Sequence, residues 1–169
     1  MFRCFTLVAL SIVIAIPAIA QYSDNQDEFC KNLKQLMYVG AAEDFGNYMG
    51  SETEFSTTDV AAFETDLSLP GAVRNEVQDM SFFKQFYSVF TADTMLTKKH
   101  TSVFLEVTKK VEQCLVKEEW EIIEQEEGPD FFAVKQKVYS LLDESSPCAI
   151  YVTVENHDGN KYLVTLTIF

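Results

Sequence analysis

The chain has 169 residues, of which 26 are Asp or Glu and 13 are Lys or Arg, and 47% are apolar. This length predicts one domain, and the apolar and aromatic content is too high for a disordered acidic tail. The formal net charge of -13 disfavours phosphate backbones and anionic lipid surfaces as partners, so the composition argues against a nucleic-acid-binding or membrane-surface protein.

The N-terminal segment has the pattern of a secretory signal peptide. One cation, Arg3, precedes a largely apolar run from Phe5 to Ile16, and small residues follow at Ala18 and Ala20. That run is too short to span about 30 Å of hydrocarbon, and small residues before the cut are what a signal peptidase requires. We predict that residues 1–20 are cleaved off; the alternative is an uncleaved anchor helix.

Cleavage leaves residues 21–169 as a single globular domain, secreted or periplasmic, without a membrane anchor. The mature chain has 149 residues and, with 12 cations against 26 acids, a net charge of -14. These compartments permit disulfides. Because Cys30, Cys114 and Cys148 are an odd number, at most one intramolecular bridge forms, from three possible pairings. The alternative is three buried thiols.

A first helix is predicted over residues 24–49. Ser23 or Asp24 caps it, and Gly50 ends it. Its apolar residues recur at three- and four-residue steps, which predicts one buried face. They include Phe29, Leu33, Leu36, Met37, Phe45 and Tyr48. The polar residues 51–58 then predict a loop.

Three strands follow the first helix. The alternation of apolar and polar residues over 61–69 predicts the first strand, and the Pro-Gly pair at 70–71 predicts a turn. The second strand covers residues 73–78, and the third, richly aromatic one covers residues 82–90. A tight Pro-Gly hairpin would pair a leucine with an arginine, so we expect a wider loop or a bulge between the first two strands.

A second helix is predicted from a cap at Thr91 or Asp93 to residue 116, with one apolar face. Seven acids then crowd into residues 118–130. A solvated helix end and loop explain this acidic run better than a binding site does.

Three further strands are predicted, over residues 131–142, 148–156 and 161–169. For the last hairpin we predict a three-residue loop, 157–159, with Gly159 in the left-handed conformation. This register sets Glu155 opposite Lys161 and pairs core residues with core residues.

The predicted order is helix, three strands, helix, three strands. Hairpin-connected strands interrupted by helices indicate the α+β class, with an antiparallel sheet of about six strands and the helices packed on one face. This order of elements resembles secretion-chaperone-like and cystatin-like α+β folds, and no functional residue follows from the resemblance.

The sequence lacks the patterns of common catalytic sites. Imidazoles occur only at His100 and His157, and neither Cys-x-x-Cys, His-x-x-x-His nor Gly-x-Ser-x-Gly occurs. The cysteines lie on apolar faces, where thiolates are disfavoured. We therefore predict no metal, no cofactor and no enzymatic activity. A hydrolase with dispersed carboxylates is a weaker alternative, because such pairs assemble only in space.

Aromatic residues supply the candidate binding site. In the third strand Phe82, Phe86 and Phe90 share one face, and Phe83 and Tyr87 lie on the other. A sheet that is covered on one face needs only one such set. Either loops or the first helix cover the second face, or Phe83 and Tyr87 form an exposed binding surface.

These observations predict a non-enzymatic, secreted or periplasmic protein that acts as an interaction or inhibitor-like module. Its acidity suits a protein partner with a basic surface, because opposite charges steer association. The alternative is a carrier of a small apolar ligand in an aromatic-lined cavity.

Overall fold

The computed structural model describes residues 16–118, 121–128, 133–143, 146–157, 159 and 161–169. This described part consists of helices α1 (Ile16–Ala41) and α2 (Lys98–Glu118), a short 3-10 helix (Phe45–Tyr48) and a seven-stranded sheet. The strands are β1 (Ala61–Phe63), β2 (Arg74–Asp79), β3 (Lys84–Asp93), β4 (Glu121–Gly128), β5 (Ala133–Asp143), β6 (Ser146–His157) and β7 (Lys161–Ile168).

The strands pair antiparallel in the order β1-β2-β3-β7-β6-β5-β4. The sheet therefore consists of two meanders, β1 to β3 and β4 to β7, joined where β3 pairs with β7. Both helices pack on one face, against β3, β6 and β7. The predicted α+β class, with an antiparallel sheet and helices on one face, is confirmed, and the described residues form one strand more than the six expected.

The hydrophobic core lies between the two helices and the sheet. Its fully buried side chains come from α1, from the 3-10 helix and from the strands at the middle of the sheet, and include Phe29, Leu33, Phe45, Phe86, Tyr139, Ile150 and Leu166. Each of the strand residues occupies the face that the helices cover, so the period-two pattern of the central strands predicts their burial.

A disulfide between Cys30 and Cys114 joins the two helices. It is one of the three pairings that the sequence left open, and Cys148 keeps a free, buried thiol. Helix α1 also approaches the sheet closely at Gly40, where an added Cβ would lie 3.2 Å from Ile168 Cγ2. A larger residue at this position would push α1 away from β7.

Helix α1 ends at Ala41 instead of at residue 49. Glu43 takes a positive φ of 54°, and its amide donates to the carbonyl three residues earlier, which turns the chain out of the helix. Phe45 is then buried against Phe86, with ring centroids 6.4 Å apart. The helical spacing of the residues after 41 therefore reflects burial of a separate 3-10 helix.

The first strand is shorter than predicted, since β1 ends at Phe63 and residues 64–73 are irregular. Leu67 and Leu69 are nevertheless buried in the core, so their alternation with polar residues reports burial without strand pairing. Gly71 has a φ of 90°, which confirms the predicted turn. The connection between β1 and β2 is a wide loop, one of the two alternatives that the sequence left open.

Helix α2 begins later than predicted, because Thr91 and Asp93 belong to β3, where they pair with β7. His100 is buried in the first turn of α2. Its Nδ1 accepts a 3.2 Å hydrogen bond from the Thr97 amide, and its Nε2 lies 3.2 Å from the Tyr162 carbonyl oxygen. The neutral Nε2–H form satisfies both contacts, so a histidine links the start of α2 to β7.

The acidic run does not form the predicted loop, because Glu121–Gly128 are β4, an edge strand paired with β5. Charged side chains on an edge strand hinder pairing with another chain, so strand structure and acidic composition are compatible. Residues 119–120 and 129–132, which the sequence predictions also cover, lie outside the described residues.

The last hairpin has the predicted loop length but a different register. Gly159 has a φ of 72°, and His157 pairs with Lys161, which leaves a three-residue loop one position later than predicted. Glu155 therefore faces Leu163. Because side chains alternate along a strand with period two, the shift of two residues keeps each core residue on its predicted face.

None of the helices in the described part of the chain is long and apolar enough to cross a membrane. The predicted signal peptide falls mostly on residues 1–15, which lie outside the described residues, so its cleavage stays a prediction.

Candidate ligand-binding cleft

The face of the sheet opposite the helices carries polar and aromatic side chains from β2, β3, β7 and β6, which are neighbours in that order. Because every second residue of a strand points to the same face, the strand pairing arranges these side chains in rows. One row is Glu76, Tyr87, Thr167 and Tyr151, and the next is Arg74, Val89, Thr165 and Thr153. This open face is therefore mainly polar and aromatic, with one small buried apolar cluster formed by Tyr87, Val89 and Leu163.

A cleft of about 850 Å³ lies on the open face of the sheet. Residues 54–57 form one side of it, and side chains of β6 and β7 form the other. Its lining mixes aromatic, aliphatic and charged side chains, among them Phe55, Tyr87, Tyr151, Glu155, Leu163 and Phe169. An adjoining hollow of about 900 Å³ shares Phe55 and Arg74 with it. Small-molecule sites in proteins measure about 300–1,000 Å³, so the cleft has the size of a ligand site.

Arg74 and Glu76 form an ion pair at one side of the cleft. The Arg74 Nε lies 3.2 Å from Glu76 Oε2, and the guanidinium carbon lies 3.9 Å from the centroid of the Phe55 ring. Glu76 is only 1% exposed, and its Oε1 accepts a 2.7 Å hydrogen bond from Gln78 Nε2. Arg74 Nε and Glu76 Oε2 are close together, but their geometry is not that of a hydrogen bond. Coulomb attraction between the two charges therefore holds the pair.

Tyr87 and Glu155 form the second polar pair of the cleft, in which the Tyr87 hydroxyl donates to Glu155 Oε1. Burial raises the pKa of Tyr87 well above its usual value, and the nearby Glu155 charge adds to this rise. Burial also raises the pKa of Glu155, against the lowering effects of the Tyr87 hydrogen bond and of the His157 and Arg74 charges. The tyrosine therefore remains the donor and the carboxyl group the acceptor.

Glu155 differs from Glu76 in its ion pairing. Ion pairs among the described residues include Arg74 with Glu76, Lys84 with Asp79, Lys110 with Glu106 and Lys137 with Glu112. None of these pairs includes Glu155. Within the described part of the chain, the Glu155 side chain accepts one hydrogen bond, which comes from the Tyr87 hydroxyl. Carboxylates that are taken out of water are normally paired with a cation, so Glu155 is a half-buried acid of the cleft without a counter-ion among the described residues.

The two residues predicted from the aromatic strand lie in different environments. Tyr87 is 8% exposed and lines the cleft, whereas Phe83 is 47% exposed and precedes β3. Phe83 packs on Phe169 with ring centroids 5.5 Å apart, and Phe169 stacks on Tyr151 at 5.1 Å. Phe169 thus lies between Phe83 and the cleft. Tyr87 belongs to the cleft, and Phe83 belongs to an exposed patch at its margin.

Sequence reasoning missed Arg74, Glu76 and Glu155 as site residues. They occupy strand positions that alternate with helix-facing residues, a pattern that is equally typical of a solvated strand face. The available signal was Glu155 itself, because the rest of its strand is rich in Val, Ile and Thr, as in the centre of a sheet. Only the packing of Tyr87 and of residues 54–57 shows that this face is partly covered.

Within the described part of the chain, no three His, Cys, Asp or Glu residues are grouped so that they could hold a metal ion. Burial raises the pKa of the Cys148 thiol to about 12, which makes it a poor nucleophile. What the cleft offers is an ion pair, a carboxyl group and a phenol hydroxyl, groups that orient a ligand by charge and hydrogen bonding.

Comparisons of the chain with family models, with curated proteins and with solved structures found no match. The geometry of the cleft is therefore the basis on which a function is proposed.

Proposed function

We propose that this chain is an exported, non-enzymatic protein that binds a small molecule in the cleft on the open face of its sheet. The observation that carries the proposal is the Tyr87–Glu155 pair, which lines a cleft of about 850 Å³ without an ion-pair partner among the described residues. Ligand sites typically combine an apolar lining with a few placed polar groups. The cleft has both components.

The lining favours an amphipathic ligand over the purely apolar one that the sequence suggested. Tyr151 and Phe169 offer an apolar surface for the body of the ligand. Arg74 on β2 and Glu155 on β6 offer charge. A purely apolar ligand would leave these charged groups desolvated without compensation, which costs free energy.

The Cys30–Cys114 disulfide supports the export part of the proposal, because structural disulfides persist in oxidising compartments outside the cytoplasm. The raised pKa of the buried Cys148 thiol, which makes it a poor nucleophile, motivates the non-enzymatic part. A hydrolase that uses Glu76 and Glu155 as its carboxylates is the weaker candidate, and turnover assays on the same ligands would detect it.

Titration with the neutral hydrophobic dye Nile red tests the proposal. We expect saturable binding with one site per chain. Thr167→Trp places a large ring in the centre of the open face, where Thr167 lines the cleft, and should weaken binding at least about tenfold. Lys109→Trp adds the same ring at an exposed position of α2 and should leave binding unchanged.

The proposal is wrong if neither the dye nor an amphipathic probe of similar size binds saturably, or if Thr167→Trp, with an unchanged circular dichroism spectrum, binds as the wild type does. Should Thr167→Trp fail to fold, Gln85→Trp on the neighbouring strand blocks the same cleft from another side, because Gln85 also lines it.

A second candidate function is binding of a protein partner, and one observation favours it. Phe82 is 97% exposed at the turn between β2 and β3, next to the half-exposed Phe83. Exposed neighbouring aromatic rings are typical of interaction sites, and the acidity of the chain suits a partner with a basic surface. Phe82→Ser should leave the melting temperature unchanged; a marked fall would show that the ring is structural.

A further inference from the structure

Glu155 is the half-buried acid of the cleft that belongs to none of these ion pairs, whereas Glu54, another acid of the lining, is exposed to solvent. Arg74 faces Glu76 on one side and the Phe55 ring on the other. Lys161 and His157 are exposed near the turn between β6 and β7, where solvent and salt screen them. A ligand that enters the cleft therefore meets an acid without a counter-ion, held in place by its hydrogen bond to Tyr87.

We infer that the ligand of the cleft is an organic amine whose ammonium group pairs with the Glu155 carboxylate. This inference rests on the proposed small-molecule function and names the chemical class of the ligand.

The hydrogen bonding of Glu155 leaves an acceptor for such a group. Its Oε1 is occupied by the Tyr87 hydroxyl, and its Oε2 is the oxygen that remains for a ligand. An ammonium group has three donors and a positive charge, so it supplies both the hydrogen bond and the counter-charge. A neutral hydroxyl supplies only the hydrogen bond, and a carboxylate would be repelled.

The rings of the cleft suit a cation as well. Tyr87, Tyr151 and Phe169 all line it, and the faces of aromatic rings attract cations. The adjoining hollow also favours a cation, because its acids outnumber Arg74, the single basic residue in its lining. These acids are Glu52, Glu54, Glu64, Asp66 and Glu76. The field of the open face therefore favours a positive ligand over a negative one.

Binding of an amine should depend on pH. The groups around Glu155 are Tyr87 on β3, Arg74 on β2 and His157 on β6, with Ala133 of β5 and Leu163 of β7 directly opposite. An ammonium stabilises the ionised carboxylate, so the affinity should rise as Glu155 loses its proton.

Three probes that share one skeleton and differ in charge test the inference. They are 2-phenylethylamine, the neutral 2-phenylethanol and the anion 3-phenylpropanoate, titrated by calorimetry into the disulfide-bonded chain at about pH 7.5. We expect the amine to bind at least about tenfold more tightly than the alcohol, and the anion to bind more weakly than the alcohol.

Two variants separate direct pairing from the general acidity of the surface. Glu155→Gln keeps the size of the side chain and an acceptor for Tyr87, and should abolish the preference for the amine together with the part of its pH dependence that Glu155 contributes. Glu28→Gln removes an equal charge from an exposed residue of α1, on the helix side of the sheet, and should change the preference by less than about twofold.

Equal affinity for the amine and the alcohol, or an amine preference that survives Glu155→Gln, overturns the inference. If either of these results is obtained and Nile red still binds in the cleft, the proposed small-molecule function stands and only the cationic ligand class is wrong. If neither Nile red nor any of the three probes binds, the proposed function and the inference are both overturned.

Discussion

Tyr87 on β3 donates a hydrogen bond to Glu155 on β6, across β7, the strand that separates them in the sheet. The two residues are 68 positions apart in sequence. On the intervening strand, the Thr165 hydroxyl lies 2.6 Å from that of Thr153. The contact between Tyr87 and Glu155 forms only when the meander β1 to β3 is joined to the meander β4 to β7, so the cleft depends on the complete sheet.

Removal of the Tyr87 hydroxyl should weaken the fold and change the titration of Glu155. We expect Tyr87→Phe to lower the free energy of unfolding by about 1–2 kcal/mol, because it deletes a hydrogen bond to a partly buried carboxyl group. It should also raise the pKa of Glu155 further, since this hydrogen bond is among the influences that lower it. Urea unfolding and NMR titration of the carboxyl carbon measure the two effects. Tyr162→Phe is the control, and an unchanged Glu155 pKa would contradict the prediction.

Glu155 should make the protein less stable as the pH rises. Its pKa is higher in the folded protein than in the unfolded chain, so the folded state binds more protons between the two pKa values. The stability that Glu155 contributes is complete below its unfolded pKa and is lost as the pH rises through its folded pKa. Asp79, whose pKa is lowered by the Ser81 amide and by Lys84, acts oppositely, with stability present above its unfolded pKa and lost on acidification.

We therefore expect Glu155→Gln to stabilise the protein relative to the wild type at about pH 8 and less so at about pH 4. The contribution of Asp79 is common to both proteins and cancels in this difference. Thermal unfolding of the two proteins across the pH range is the measurement, and a difference that is constant with pH would rule out a raised Glu155 pKa.

The Arg74–Glu76 pair should show strong coupling. Arg74→Met leaves the carboxylate of Glu76, which is almost completely buried, without its cation and should cost about 3 kcal/mol. The double variant Arg74→Met/Glu76→Gln removes both charges and should cost less than Arg74→Met alone. A double-mutant cycle by urea denaturation measures the coupling. Additive effects of the two substitutions would show that the pair does not interact.

The Cys30–Cys114 disulfide closes a long loop and should contribute much of the stability. The chain-entropy model assigns about 4.5 kcal/mol to a bridge between residues 84 apart. Cys30→Ser/Cys114→Ser should therefore lower the melting temperature and make it insensitive to reductant. Cys148→Ala is the control that keeps the response to reductant. In the native wild type the buried Cys148 thiol should not react with a thiol reagent, and fast labelling would contradict its burial.

Local pattern was sufficient for the elements at the middle of the sheet. The strands around Ile150 and Leu166 were predicted because their apolar residues alternate, and alternation reports which face is buried whatever the neighbouring strand is. The same signal failed at Leu67 and Leu69, which alternate with polar residues and are buried without being paired. Periodicity reports burial, and it reports hydrogen bonding only indirectly.

Pairing errors had a similar cause. Glu155 and Lys161 have opposite charges, which favours pairing them across the last hairpin. In the structure, however, Glu155 faces Leu163. Contacts from other strands, among them the hydrogen bond from Tyr87, help to hold Glu155 in place, and these are invisible in the hairpin sequence. The sequence predicts which residues of this hairpin share a face of the sheet, because side chains alternate with a period of two. It does not predict which residue lies opposite which.

The sequence by itself determined the class of fold and the candidate cysteines, because composition, periodicity and turn residues act over short distances along the chain. The tertiary structure alone decided that Cys30 pairs with Cys114, that the acidic run forms an edge strand, and that Arg74, Glu76, Tyr87 and Glu155 line one cleft. The cleft depends on β3 pairing with β7, and the disulfide depends on α1 packing against α2. Both are contacts between distant segments, which local sequence pattern does not determine.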